Sequence, residues 1–167
     1  MDQMWAPWRI DYVAQPDKEA EGCFLCRAAR AEEDRPHLVL WRGSHCLTVM
    51  NRWPYNNGHL IIAPLEHRPD LSDLSDEALL EQMQMLQRCR RNLGAVLDPA
   101  GFNVGLNLGA AAGAGLPGHL HWHIVPRWEG DTNFMAVLAD TKVIPQSLHD
   151  LWDLLQEADT RENASGA

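Results

Sequence analysis

The stretch Gly118-His119-Leu120-His121-Trp122-His123-Ile124-Val125-Pro126-Arg127 sets three histidines at every second position with apolar residues between them. A period of two is that of a β-strand, which sends successive side chains to opposite faces. His119, His121 and His123 are therefore predicted to line one face of a strand, and Leu120, Trp122 and Ile124 the other. The apolar side belongs against a core and the imidazole side over a site. Same-face neighbours on a strand lie roughly 6.6 Å apart, so the outer two histidines start about 13 Å apart. A single metal ion can take an adjacent pair from such a strand, which leaves at least one histidine for other chemistry.

Working outward, the residues just before the histidines, Gly109-Ala110-Ala111-Ala112-Gly113-Ala114-Gly115-Leu116-Pro117-Gly118, are nearly all small. Small residues let backbone N–H groups approach a ligand closely, and directly before three histidines the run reads as a phosphate cradle in preference to a plain flexible connection between two strands. It is not a Walker loop, because no Gly-Lys-Ser/Thr follows. Upstream, Phe102, Val104, Leu106 and Leu108 alternate with Asn103, Gly105 and Asn107, predicting a strand beside the histidine strand. His37 to Arg42 and Cys46 to Asn51 read as two strands joined at Gly43-Ser44, and Leu60 to Ala63, almost wholly apolar, as a central third. Between the last two lies Asn51-Arg52-Trp53-Pro54-Tyr55-Asn56-Asn57-Gly58-His59, dense in turn formers.

Ser75, followed by Asp76 and Glu77, is an N-cap with carboxylates in the first turn. Leu79, Met83, Leu86, Leu93 and Leu97 then keep helical spacing, predicting one long helix over a sheet face. A terminal helix is predicted from Ser147 to Glu157 with Leu148, Leu151, Trp152 and Leu155 on one side. Residues 159–167 are polar and are expected to form a disordered tail. At the other end an arm over residues 1–22, carrying Trp5, Pro7 and Trp8, should dock on a surface or a partner subunit. The segment RAARAEEDRP reads as a short helix or a charged turn. With no repeats and no change of composition, residues 1–158 read as one domain.

Composition narrows the function. Twenty-three acidic residues against fourteen basic give a formal net charge of −9, a surface that repels nucleic acid polymers. The N-terminus has no basic region followed by an apolar run, and nothing approaches ~18 continuous apolar residues, so the chain is expected to be cytoplasmic and free of membrane. Four cysteines are too sparse for a disulfide framework. Cys23-Phe24-Leu25-Cys26 alone has a telling spacing, and by itself is half a zinc site, a redox pair or chance. Cys46 and Cys89 fit ordinary buried thiols.

His119-Leu120-His121-Trp122-His123-Ile124-Val125 resembles the signature of the histidine triad (HIT) family of nucleotide hydrolases and transferases. The longer run from Gly101 to Phe134 resembles the bacterial branch of diadenosine tetraphosphate phosphorylases. The likeness reaches from about Trp5 to Leu155. It implies a HIT-like α+β fold, with an antiparallel sheet of about five strands, one long helix and a C-terminal helix, paired into a homodimer. It also implies nucleotidyl transfer through a covalent intermediate on His121, with His123 hydrogen-bonding the phosphate or the bridging oxygen. Asn107 and the amides around Gly113 and Gly115 would complete the phosphate cradle. Asn51 would lie near the ribose and His59 near the pocket, with Trp53 or Tyr55 stacking on a base.

In zinc-bearing relatives the first triad histidine joins a CxxC pair and a histidine after the third strand, which here implies a structural zinc held by Cys23, Cys26, His67 and His119. No organic cofactor is implied. Inorganic phosphate as second acceptor makes a phosphorylase and water a hydrolase; a purine nucleoside phosphoramidase and a nucleotide-binding protein without turnover are the remaining readings. The chain departs from the family at Ala114 to Leu116, where Gly-Gln-Ser or Gly-Gln-Thr is usual. Arg127 stands near the site in sequence, either serving it or forming a surface ion pair.

Overall fold

Five apolar runs pair into one antiparallel sheet. In chain order its strands are β1 (Val39–Arg42), β2 (Cys46–Met50), β3 (Leu60–Pro64), β4 (Gly101–Leu106) and β5 (Trp122–Arg127). They lie side by side as β1-β2-β3-β5-β4. The structure is a computed structural model that describes residues 22–131 and 143–165; the arm expected over residues 1–22, apart from Gly22, and Thr132 to Phe134 lie outside these. Three helices stand among the described residues, α1 (Phe24–Arg30), α2 (Asp76–Leu97) and α3 (Leu148–Ser165). The arrangement is the expected α+β one, and no helix among the described residues is long and apolar enough to cross a membrane.

β2 and β3 are buried along their whole length, because both faces of the sheet carry a core. On one face Leu60, Ile62 and Ile124 pack with Met85, Cys89 and Leu93 of α2 and Leu151 and Leu155 of α3. On the other, Leu47, Val49, Ile61 and Ala63 pack with Leu25 and Ala28 of α1. A register shift between Val39 and Trp41 lets Leu40 and Trp41 both join the α2 side. Arg42 then reaches α1: its Nη atoms donate to the carbonyls of Ala28, Ala29 and Ala31 at 2.8, 2.8 and 3.1 Å. A guanidinium on the last carbonyls satisfies orphan acceptors and opposes the negative end of the helix dipole. Arg42 thereby sets where the cysteine-bearing helix sits.

Several elements differ from the sequence reading. α1 starts at Phe24, inside the CxxC, so the helix comes earlier than the RAARAEEDRP segment. β5 starts at Trp122, so only His123 of the three histidines lies in the ladder, and His119 and His121 form its approach. β4 ends at Leu106, not Leu108. Ser75 does cap α2, its Oγ accepting from the Ala78 amide at 3.3 Å. The buried stripe of α2, however, is Ala78, Gln82, Met85, Cys89, Asn92 and Leu93, while Met83 is exposed. Gln82 and Asn92 can be buried because each amide donates to the carbonyl four residues back, at 3.1 Å in both cases.

α3 continues to Ser165, so residues 159–165 of the expected disordered tail are helical. Asp159 is buried and accepts from Arg88 Nε at 2.8 Å and Asn92 Nδ2 at 3.2 Å. Arg91 reaches Glu162 at 3.4 Å, and Asn163 donates to Asp159 at 3.1 Å. These last turns are fastened to α2 by charge, a signal that apolar periodicity does not carry.

The turn that delivers His59 depends on Gly58. Its φ is +75°, and a Cβ there would stand 2.6 Å from Leu97 Cδ1 and 3.0 Å from Leu93 Cδ2. Gly58→Ala should therefore cost about 2 kcal/mol or more through backbone strain and overpacking. Gly105 has an ordinary φ and open space at its Cβ position, so Gly105→Ala should be neutral or slightly stabilising. Denaturant unfolding of both variants checks this, and equal losses would contradict it.

Candidate active site

The histidines gather on the α1 face where β3 and β5 lie side by side. Ile61 is opposite His123 in the β3–β5 register, so His59, two residues before Ile61, extends the same face. Its ring lies 5.1 Å from that of His123, and the His121 and His123 rings are 4.9 Å apart at 74°. His59 was placed near the pocket by resemblance alone. Period-two counting back from Ile61 was the signal that would have put it against His123.

Hydrogen bonds fix which nitrogen of each ring holds the proton. The Tyr55 backbone N–H donates to His59 Nδ1 at 3.1 Å, and Asn51 Nδ2, whose own Oδ1 accepts from the Trp53 amide, lies 3.1 Å from the same nitrogen. Nδ1 of neutral His59 is therefore the acceptor and Nε2 the donor. That Nε2 lies 2.9 Å from His123 Nδ1, so His123 accepts there and carries its proton on Nε2. His121 is the reverse case. Its Nδ1 lies 2.8 Å from the His119 carbonyl oxygen, which can only accept, so the proton is on Nδ1 and Nε2 keeps a lone pair. One ring presents a nucleophilic nitrogen and its neighbour an N–H donor.

The electrostatics keep this chain of tautomers in place. Burial, then the charges that His123 and His121 would carry, lowers His59 to about 3. Burial and then His121 lower His123 to about 4. Both rings are neutral at physiological pH, so the relay has one direction.

Beside them, residues 107–118 turn back over the approach to β5. Gly109 and Gly113 take φ of +79° and +88° around the short turn Ala110–Ala112. Asn107 Nδ2 reaches the Gly113 carbonyl at 3.5 Å across the loop's neck, and Leu116 packs into the α1 core. The amides of Ala112, Gly113 and Ala114 are used within the turn, whereas those of Gly115 and Leu116 make no hydrogen bond within the described residues. Such a loop offers backbone donors rather than side chains to an anion.

A second cluster forms behind the loop. Cys23, Cys26, His67 and His119 bring one ligand atom each within 4.8 Å of one another. Cys23 Sγ is 3.1 Å and Cys26 Sγ 3.5 Å from His119 Nδ1, and Cys26 Sγ is 3.3 Å from His67 Nδ1. Metal–sulfur and metal–nitrogen bonds of about 2.3 and 2.0 Å at tetrahedral angles place such atoms about 3.5 Å apart, so the group fits one metal ion. His119 Nε2 donates to the Pro64 carbonyl at 2.9 Å, leaving Nδ1 free to ligate. Burial and then Cys23 raise the Cys26 thiol, a bias that a cation between the sulfurs reverses. The loop rests on this cluster, since a Cβ on Gly118 would stand 3.2 Å from His67 Nε2.

Arg127 is engaged elsewhere. It donates to Asp131 through Nε at 2.6 Å and Nη2 at 3.0 Å, and through Nη1 to Asn103 at 2.7 Å. Asp131 also accepts from Asn56 Nδ2 at 2.9 Å, which ties the Asn51–His59 wall to the end of β5.

Comparison with known proteins agrees with this geometry. Residues 32–130 match the HIT domain. The chain is 40% identical over 161 residues to the AP-4-A phosphorylase of Mycobacterium tuberculosis, covering 93% of this chain and 83% of that one. Among solved structures it superposes on a zinc-bound histidine triad family protein from Mycobacterium smegmatis with a TM-score of 0.70 and 25% identity, over 87% of this chain and 99% of that one. It shares the fold of the Plasmodium falciparum diadenosine triphosphate hydrolase at a TM-score of 0.62 and 17% identity, over 81% of each chain. The histidine cluster, the sheet that carries it and these relatives lead to one conclusion: the chain belongs to the HIT-domain family and is similar to its AP-4-A phosphorylase.

Proposed function

We propose that this protein is a dinucleoside polyphosphate phosphorylase acting through a nucleotidyl-histidine on His121. The observation that carries the reading is the pairing of opposite tautomers, a bare His121 Nε2 next to a protonated His123 Nε2. His121 Nε2 attacks the α-phosphorus of the bound dinucleotide. The bond from that phosphorus to the bridging oxygen breaks, and the departing polyphosphate leaves as an anion with the bonding electron pair, its bridging oxygen accepting a hydrogen bond from His123 Nε2–H. Inorganic phosphate then attacks the nucleotidyl-histidine and His121 Nε2 regains its electron pair. With diadenosine tetraphosphate the products are ATP and ADP; water in place of phosphate gives ATP and AMP.

The other groups support these steps. The amides of Gly115 and Leu116, with Asn107, hold the α-phosphate in place of the usual Gln-Ser side chains. His59 keeps His123 in its donor form, and Asn51 and the Tyr55 amide orient His59. Cys23, Cys26, His67 and His119 hold a structural zinc, which would neutralise the thiolates and pin α1 and the loop to the start of β5. We assign the enzyme to the cytoplasm as a homodimer. Support for pairing comes from β4, an edge strand of the sheet among the described residues, where Val104 is 52% exposed, and from Leu108 just beyond it, 42% exposed.

Product analysis tests the reaction: with diadenosine tetraphosphate, added phosphate should shift the second product from AMP to ADP. His121→Asn should keep the fold and reduce turnover by about a thousandfold or more. Activity within about tenfold of wild type would refute the covalent route.

Elemental analysis tests the metal. Cys23→Ala and His67→Ala should lose bound zinc and melt at lower temperature. Wild-type protein purified without chelator and found free of zinc would refute the assignment.

A further inference from the structure

Tyr55 is 59% exposed, yet its ring is set against the reacting histidines. The ring centroid lies 4.6 Å from that of His59 and 5.8 Å from that of His123. The residue is held on both sides: its amide donates to His59 Nδ1 at 3.1 Å, and the next side chain, buried Asn56, donates to the Pro126 carbonyl at 3.0 Å and to Asp131 at 2.9 Å. Its ring has contacts with His59 and His123 and none with His121 among the described residues. One face is therefore covered by imidazole, and the rest is open among the described residues. A ring fixed in this way gives up little conformational freedom when something stacks on it.

The position sets what it can meet. On the reading that His121 takes the nucleotidyl group, the departing half of the substrate leaves past His123, which hydrogen-bonds its bridging oxygen. Tyr55 borders that side. We infer that the open face of Tyr55 stacks on the nucleobase of the departing half, so that Tyr55 selects dinucleoside polyphosphates over mononucleoside ones. Stacking is sequence-tolerant and needs only a π face, so the phenol hydroxyl is not required.

The test compares kcat/KM for diadenosine tetraphosphate and adenosine 5′-tetraphosphate, which share the reacting half and differ by the distal adenosine. Tyr55→Leu keeps apolar cover on His59 but has no π face, and should lower the ratio of the two values by about fivefold or more. Tyr55→Phe should keep the ratio within about twofold. In wild-type enzyme, a tetraphosphate ending in ribose without a base should lose a similar factor relative to diadenosine tetraphosphate. Equal losses on both substrates in Tyr55→Leu would overturn the inference and leave Tyr55 as a cover for the histidine pair. So would a wild type indifferent to the distal base, which needs no variant to be seen. Wild-type enzyme that turns over neither tetraphosphate would instead refute the functional reading on which the inference stands.

Discussion

The 2.8 Å hydrogen bond from His121 Nδ1 to the His119 carbonyl determines which nitrogen of His121 carries the free lone pair. A carbonyl oxygen only accepts, so the imidazole proton is held on Nδ1 and the lone pair is turned out on Nε2. That bond is short only while the His119 backbone keeps its course. Two side-chain contacts of His119 hold it: Nε2 to the Pro64 carbonyl at the end of β3 and Nδ1 to the sulfurs of Cys23 and Cys26. The cysteine–histidine cluster and the His121–His123 pair thus share one residue, which uses its ring for the first and its backbone for the second. Arg42 belongs to the same chain of dependence because it anchors the helix that carries the cysteines.

His123 is set from the opposite direction. Two N–H donors on His59 Nδ1 force the His59 proton onto Nε2, and that proton in turn forces the His123 proton outward. The desolvation that holds His59 and His123 neutral is part of the device, since a second proton on either ring would erase the direction of the relay. A bare ring nitrogen and a hydrogen-bond donor are thereby obtained from two copies of one side chain.

Much of this was legible in the sequence wherever side-chain period and burial coincide. The spacing of the histidines placed His121 and His123 on one face, and the apolar run of β3 marked the centre of the sheet. The four metal-ligand candidates named by resemblance do meet in space. The sequence reading went astray where polar groups took over the work of apolar ones. α2 buries Gln82 and Asn92 through bonds to its own backbone, which rotates its packed stripe away from Met83. The last turns of α3 hold to α2 through Asp159 and Glu162, which a search for apolar spacing reads as a solvated tail. The bond from His59 to His123 joins residues 64 apart in sequence, and it follows only once the register of β3 against β5 is known.

Tautomers are directly observable. Long-range proton–nitrogen correlation spectra of nitrogen-15-labelled imidazoles distinguish a ring protonated on Nδ1 from one protonated on Nε2. The account predicts His121 protonated on Nδ1 and both His59 and His123 on Nε2 at neutral pH, with His59 and His123 staying neutral as the pH is lowered to about 5. A His121 ring with its proton on Nε2, or a His123 ring with its proton on Nδ1, would contradict it.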